Sequence, residues 1–347
     1  MLANMDGICT LGNDGVYDSL LALLNSIEVQ LGPDFPICIY PYDHQLERLK
    51  TAIADRPNVM LYEDQSSIER WDNFAQQAWD YHPTAKYHWR KAGSTGYHRF
   101  GTHRRFCAFD GPFERFLYMD ADTLLLGSVD DIFEQLTGSD CVVYDFQYKD
   151  PTHIYEINSP HLTQIFAPSR LQAETFCSGF YASHRQLFST DQLGQILSQL
   201  RGGEAEILYP FAPDQSLLNY LMMRSEKKIN NLALTLPPTK RTGCCVTSEH
   251  FQEKEHLLYD RGKRLTYLHY IGLPKSLFSA ICAGENLTFP YREIFLYYRY
   301  LHKPEQYPQF KGKAIPYKRS PSLWSRFIHK GTRILKETFL LNLFFSS

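Results

Sequence analysis

The sequence predicts an α/β fold, a three-layer α/β/α domain around a mostly parallel sheet. Short apolar strands alternate with helix-periodic segments from Ile8 to Tyr62, the signature of crossover-linked strands. The 347 residues, 44% hydrophobic and 21% charged, are enough for one large core or two average ones. Those figures exclude disorder, collagen and a disulfide scaffold. The 36 Lys and Arg against 38 Asp and Glu disfavour a nucleic-acid partner.

Taken in order, Ile8 to Leu11 is a short strand ending in the polar loop Gly12-Asn13-Asp14-Gly15. Leu20, Leu21, Leu23, Leu24 and Ile27 then recur at helical spacing, with Asp14 or Asp18 as the cap. Phe35 to Tyr40 reads as a second strand, the following HQLERLKTAIA as a helix, and Val59 to Tyr62 as a third strand. Residues 71–103 are polar and rich in His, Trp and Tyr; His82, His88, His98 and His103 fit no metal spacing and read as cleft or loop surface. Phe116 to Met119 is a buried strand that runs directly into Asp120-Ala121-Asp122. Short strands follow at Val142 to Tyr144 and Phe180 to Ala182, separated by a loop-like stretch with prolines at 151, 160 and 168. Gln192 to Leu200 and Asp214 to Met223 read as helices, and Leu265 to Tyr270 as a late strand with His269 near its end.

Eight scattered cysteines with no C-x-x-C read as reduced core thiols, not as a zinc site or a disulfide framework. The first fifteen residues carry Asp6 and Asp14 and no long apolar run, so no signal peptide is expected, and nothing is long and apolar enough to span a membrane. A cytoplasmic location follows as the expectation.

The C-terminal region differs in charge. Residues 291–347 hold eleven Lys and Arg against three Asp and Glu, whereas 1–290 hold 25 against 35. Trp324, Phe327, Ile328, Ile334, Leu335 and Phe339 recur near helical spacing among basic residues, giving a basic helical C-terminal extension. Two readings stay open: the helix lies on an anionic membrane surface, making the protein peripheral on its inner face, or it docks on protein.

The chemistry concentrates in Asp120 and Asp122. Two acids two residues apart in extended chain project to one side, at the strand end where open α/β sheets bind ligands. Paired hard oxygens suit Mg²⁺ or Mn²⁺ sharing its shell with phosphates.

The segment FLYMDADTLLLGSVDDIF resembles the D-x-D region of the glycogenin-like retaining glycosyltransferases, which include the lipopolysaccharide galactosyltransferases. Asp130 matches that family's later acid, as a helix cap before Ile132 and Phe133. Three further segments match in the same order: TLGNDGVY at Thr10 to Tyr17, DQSLLN at Asp214 to Asn219, and HYIGLPK at His269 to Lys275. The resemblance implies a GT-A-type nucleotide-diphospho-sugar transferase fold over residues 1–290, with 291–347 as the extension. It implies that the Thr10-Leu11 backbone and the Tyr17 ring hold the uracil of a UDP-sugar, with Asp14 matching the same cofactor-binding segment. By the same resemblance Asp120, Asp122 and His269 ligate Mn²⁺ (or Mg²⁺) beside Ala121, and Gly272 and Lys275 receive the diphosphate. Asp214 and Gln215 contact the donor sugar, and Arg104, between His103 and Arg105, stands where the family has a basic residue facing the donor. Ser178 and Gly179 resemble the segment beside the sugar, although Cys177 replaces its usual Asn, and Pro274 precedes Lys275 where the family's proline follows.

The resulting expectation is a metal-dependent hexosyltransferase that retains configuration, with a glycan, lipid-linked or protein acceptor selected by residues 145–176 and the C-terminal region. The alternatives are a metal-dependent nucleotidyltransferase, which would normally show a basic Gly-rich loop after the first strand, and a non-catalytic sugar-binding protein at a membrane.

Overall fold

A computed structural model describes residues 5–317 of the chain. Its centre is a seven-stranded sheet in the order β3-β2-β1-β4-β7-β6-β8. These strands are β1 (Asp6–Gly12), β2 (Ile37–Pro41), β3 (Val59–Leu61), β4 (Arg115–Met119), β6 (Cys141–Val143), β7 (Phe180–His184) and β8 (Ile229–Asn231). Only β7 runs antiparallel to both its neighbours; the other pairings are parallel. The mostly parallel sheet expected from the β-α alternation is therefore present.

Strand alternation builds the layers. In β1, Ile8 faces Leu20, Leu23, Leu24 and Ile27 of helix α1 (Tyr17–Leu31), while Cys9 and Leu11 face the cluster of Trp71, Phe74 and Ala78 from helix α3 (Gln65–Asp80). Each buried ring or branched side chain contributes roughly 1.5–3 kcal/mol of transfer free energy, and both faces of the sheet are covered in this way.

Helix α3 overlaps the start of the polar segment 71–103, where the sequence predicts no helix. Asp64 caps it by accepting from the backbone N–H of Ser66 and Ser67. Ile68, Trp71, Phe74, Ala75, Ala78 and Trp79 supply its buried stripe. Consequently His103 is a core residue accepting from Trp79 Nε1 at 2.9 Å, and His82 is likewise buried. Two cap assignments also change. Asp14 does not cap α1; its carboxylate accepts from the N–H of Arg48 and Leu49 and so caps helix α2 (Glu47–Ile53). Asp130 is the first residue of the helix Asp130–Gln135, not its cap.

Outside the main sheet, β5 (Thr123–Leu125) pairs antiparallel with Tyr267–His269, with His269 opposite Thr123. The helix Arg292–Arg299 closes over the outer side of α1, where Asn25 Nδ2 donates to the Tyr298 carbonyl at 2.7 Å and Asp18 pairs with Arg299 at 2.8 Å. This part of the expected extension thus packs on α1. The amphipathic stretch at 324–339 lies outside the described residues. Among the described residues no helix is long and apolar enough to cross a membrane.

Candidate active site

The acids arrive at the cleft because β4 is apolar and central. Phe116, Leu117, Tyr118 and Met119 are fully buried, and the chain leaves the sheet at Asp120. A tight turn, closed by Thr123 N–H and Oγ1 both donating to the Asp120 carbonyl, starts β5. The β5 pairing then delivers His269 to the same place. One ligand atom from each of Asp120, Asp122 and His269 lies within 4.8 Å of the others. These are the three residues expected as metal ligands.

The close approach requires Gly179. A Cβ there would sit 2.6 Å from His269 Cε1 and 2.8 Å from Asp120 Oδ2, so the backbone of residue 179 forms the wall of the ligand cluster. Two carboxylates and one imidazole suit Mn²⁺ or Mg²⁺, and the space between them is bounded by a residue without a side chain, so these residues fit a divalent cation.

The electrostatics are set by burial and by two basic partners. Burial would depress the His269 imidazole, but the Asp122 carboxylate facing it at 3.4 Å holds it well above its usual value. Burial likewise acts to raise Asp122, and His269 overrides it, keeping the carboxyl below its usual range. Asp120 is raised by burial, with the Arg105 guanidinium at 3.1 Å pulling the other way.

Arg105, not Arg104, is the basic residue at the acids. Arg105 is 2% exposed, bridges Asp120 and Asp214 (2.8 Å), and donates to the Ser178 carbonyl at 2.7 Å. Arg104 turns the other way, onto Asp72 at 2.9 Å. Both lie in a 3₁₀ helix spanning Phe100–Asp110, where neighbouring residues point in different directions. Burial acts to raise Asp214, yet Arg105 first and Arg99 next hold it well below the carboxylate range.

The helix Pro213–Arg224 carries the DQSLLN segment with its polar residues inward. Asn219 clamps Phe176 by accepting from its N–H and donating to its carbonyl, both at 2.9 Å. Gln215 accepts from Ser178 N–H at 3.2 Å and donates to the His153 carbonyl at 3.1 Å, so both ends of its amide are engaged. Asp214 and Gln215 therefore stand behind the carboxylate cluster and fix its wall.

In front of the acids lies a cleft of about 370 Å³. Leu11, Asp120, Ala121, Asp122 and Lys275 line it, all expected from the sequence. Lys275 opens the helix Lys275–Cys282, follows the positive-φ turn residue Gly272 (77°), and has no carboxylate partner among the described residues. Its ammonium lies 3.2 Å from where a Cβ on Gly15 would stand, so Gly15 leaves it room.

Other expected residues are placed differently. Thr10 is buried, its hydroxyl unpartnered among the described residues. Tyr17 does not line the cleft; the Arg48 guanidinium covers its ring at 3.5 Å. Asn13, inside the TLGNDGVY segment, also lines the cleft, as do Tyr42 and Arg99, to which no motif in the sequence points. Arg99 adopts a left-handed backbone (φ 50°), uncommon for a non-glycine residue and frequent at functional sites. That strain has no sequence signal.

No protein-family profile and no curated protein matches the sequence. In three dimensions the chain is similar to the bifunctional glycosyltransferase WbbM in its apo form, with a TM-score of 0.52 and 13% identity, over 85% of this chain and 50% of WbbM. The fold is that of a GT-A-type glycosyltransferase. The galactosyltransferase LgtC, solved with donor and acceptor sugar analogues, gives 0.47 at 16% identity over 80% of this chain and 95% of its own. Mouse xyloside xylosyltransferase 1 gives 0.44 at 11% identity over 66% and 85%.

Proposed function

We propose that the chain is a metal-dependent glycosyltransferase that moves a hexose from a UDP-sugar to a hydroxyl acceptor with retention. One observation carries this reading: Asp120, Asp122 and His269, each able to ligate a metal, bring one ligand atom apiece within 4.8 Å of the others beside a cleft that also holds Lys275, a cation without a carboxylate partner among the described residues. An anion-sized cleft with an open cation and a divalent-ion ligand set is the arrangement that a nucleoside diphosphate requires.

Asp120, Asp122 and His269 would hold Mn²⁺, with Mg²⁺ the alternative. When bound, the cation would act as Lewis acid toward the departing diphosphate. Lys275 and Arg99 would bind the phosphate oxygens, and Lys275 would offset the charge that grows as UDP leaves. Leu11 and Asn13 give the base an apolar and a polar edge, with Thr10 contributing backbone. Asp214, kept ionised by Arg105, supplies a fixed negative charge behind an oxocarbenium-like centre, and Gln215 holds the Ser178 and His153 backbone around it. No strongly basic side chain is required, because the acceptor hydroxyl attacks the face that UDP vacates and would give its proton to the departing diphosphate oxygen.

The test is calorimetric titration of UDP with and without Mn²⁺, on the wild type and on Asp122→Ala. UDP affinity should rise with Mn²⁺ in the wild type and lose that dependence in the variant. Equal affinities in all four titrations would overturn the metal-transferase reading; release of sugar from a panel of UDP-sugars then identifies the donor.

A further inference from the structure

A second cavity, of about 480 Å³, lies outside the carboxylate cleft, and none of the roles above uses it. That volume is within the usual range of small-molecule sites, roughly 300–1,000 Å³. Two rings of the segment after Leu208 line it: Tyr209 and Phe211 stand 5.9 Å apart at 63°, and the His88 ring meets Phe211 edge-on at 6.2 Å. Its other walls bring Glu156 and Glu206 to the same space, with no Lys or Arg among the lining residues.

The cavity is preformed. Buried Trp89 donates its indole N–H to the Pro210 carbonyl at 2.7 Å. Buried His82 meets the Leu208 carbonyl at 3.0 Å and accepts from Ala85 N–H at 2.9 Å through its other nitrogen. The backbone on either side of Tyr209 is thus pinned, and Tyr209 N–H itself donates to Ser216 Oγ at 2.9 Å. The polar groups, by contrast, are left wanting. Among the described residues no side chain pairs with half-buried Glu156, whose carboxyl is pushed up by burial. His88 Nδ1 is shut off from solvent and also unpartnered among the described residues. Glu206 is braced by Ser159 and by His161 at 3.1 Å.

Apolar ring faces beside carboxylate acceptors, without a cation, suit a neutral saccharide. The C–H face of a pyranose packs on an aromatic ring while its hydroxyls donate to carboxylates, which makes charge-assisted hydrogen bonds. An acidic ligand would place a third negative charge against Glu156 and Glu206. The position is also informative. Phe211 is three residues from Asp214, a span of at most about 11 Å. Gln215 donates to the His153 carbonyl, and the His153 ring lies 5.8 Å from Tyr209. On the other side the His98 ring, adjacent in sequence to Arg99 of the cleft, lies 6.1 Å from Phe211.

We propose that this cavity binds a neutral saccharide and serves as the acceptor-side subsite next to the donor cleft. The acceptor role rests on the glycosyltransferase reading; the binding of a neutral saccharide does not.

Saturation-transfer NMR on the full chain tests the binding, using lactose, maltose, cellobiose and N,N′-diacetylchitobiose as neutral probes and sialyllactose as the acidic one. At least one neutral disaccharide should receive saturation and sialyllactose none. Tyr209→Ala and the milder Glu156→Gln should each weaken that binding at least tenfold, with the thermal unfolding midpoint as the control for folding. Absence of transfer to every neutral disaccharide overturns the proposal, and so does transfer that both variants leave unchanged. Preference for sialyllactose does the same. A chain that binds UDP with Mn²⁺ but no disaccharide keeps the donor reading and loses this one; a chain that binds a disaccharide but no UDP loses the donor reading alone.

Discussion

Replacing Gly179 by alanine tests the proposed metal cluster without substituting any of its side chains. The added methyl would stand 2.6 Å from His269 Cε1, and ordinary contact begins near 3.4 Å, so the imidazole must retreat by about 0.8 Å, the difference of the two. Metal–ligand distances tolerate only about ±0.2 Å. The Asp120 carboxylate, at 2.8 Å from the same point, must give way as well. Overpacking of this kind costs about 1–3 kcal/mol of stability. Displaced ligand support typically costs roughly 10- to 100-fold in metal affinity. Calorimetric titration of Mn²⁺ in the presence of UDP, with thermal unfolding in parallel, reads both effects. Gly194→Ala is the matched control: it lies within the helix Thr190–Arg201 and a Cβ there meets nothing within 4 Å. It should bind Mn²⁺ as the wild type does and gain about 0.5–1 kcal/mol of stability. Wild-type Mn²⁺ affinity in Gly179→Ala would refute the assignment of this cluster as the metal site.

Arg105→Met should lower stability by about 3–5 kcal/mol in urea unfolding, because it strands Asp214 and Asp120 without their buried partner; a loss below 1 kcal/mol would show that the acids find other partners. Lys275→Ala, at an exposed position, should leave urea unfolding within about 0.5 kcal/mol while UDP affinity falls at least tenfold; unchanged UDP binding would remove this lysine from the donor site. Asp145 has its carboxyl pushed up to about 7 by burial, from 3.8. The folded state therefore holds a proton that the unfolded state gives up, and stability falls as pH rises through that window, by about 4 kcal/mol at most. Asp145→Asn should flatten this slope while losing about 1 kcal/mol at pH 4, since one of its two backbone N–H partners, Gln147 or Cys177, goes unmet; an unchanged slope would show that another group titrates.

What can be read from the sequence follows a physical divide. An apolar run that ends in two acids declares a buried strand with its carboxylates at the exit, so Asp120 and Asp122 are legible from residue order alone. His269 and Lys275 are recognisable only through resemblance; their delivery depends on β5 pairing with Tyr267–His269, a contact across more than 140 residues. Arg105 cannot be told from Arg104 in the sequence, because direction in a 3₁₀ helix is set by packing. The same holds for Tyr17, whose ring is taken by Arg48 from a helix that the sequence gives no reason to place there. Helix α3 is hidden because its Trp, Gln, Asn and Asp residues mask a regular buried stripe when only average polarity is weighed.

The closure of Arg292–Arg299 over α1 has a consequence for the birth of the protein. Asp18 meets Arg299 only after 281 further residues have been added. At ribosomal rates of about 5–20 residues per second, α1 waits roughly 14–56 s for its outer cover. Asn25 and Ser26 are buried polar residues of α1; Ser26 meets the Leu23 carbonyl within its own helix and the Leu125 N–H, whereas Asn25 accepts from Arg56 early and donates to the Tyr298 carbonyl only 273 residues on. The nascent chain therefore carries a leucine-rich helix that finds the sheet, Arg56 and β5 early, and must keep the face toward Arg292–Arg299 wet until those residues have been made.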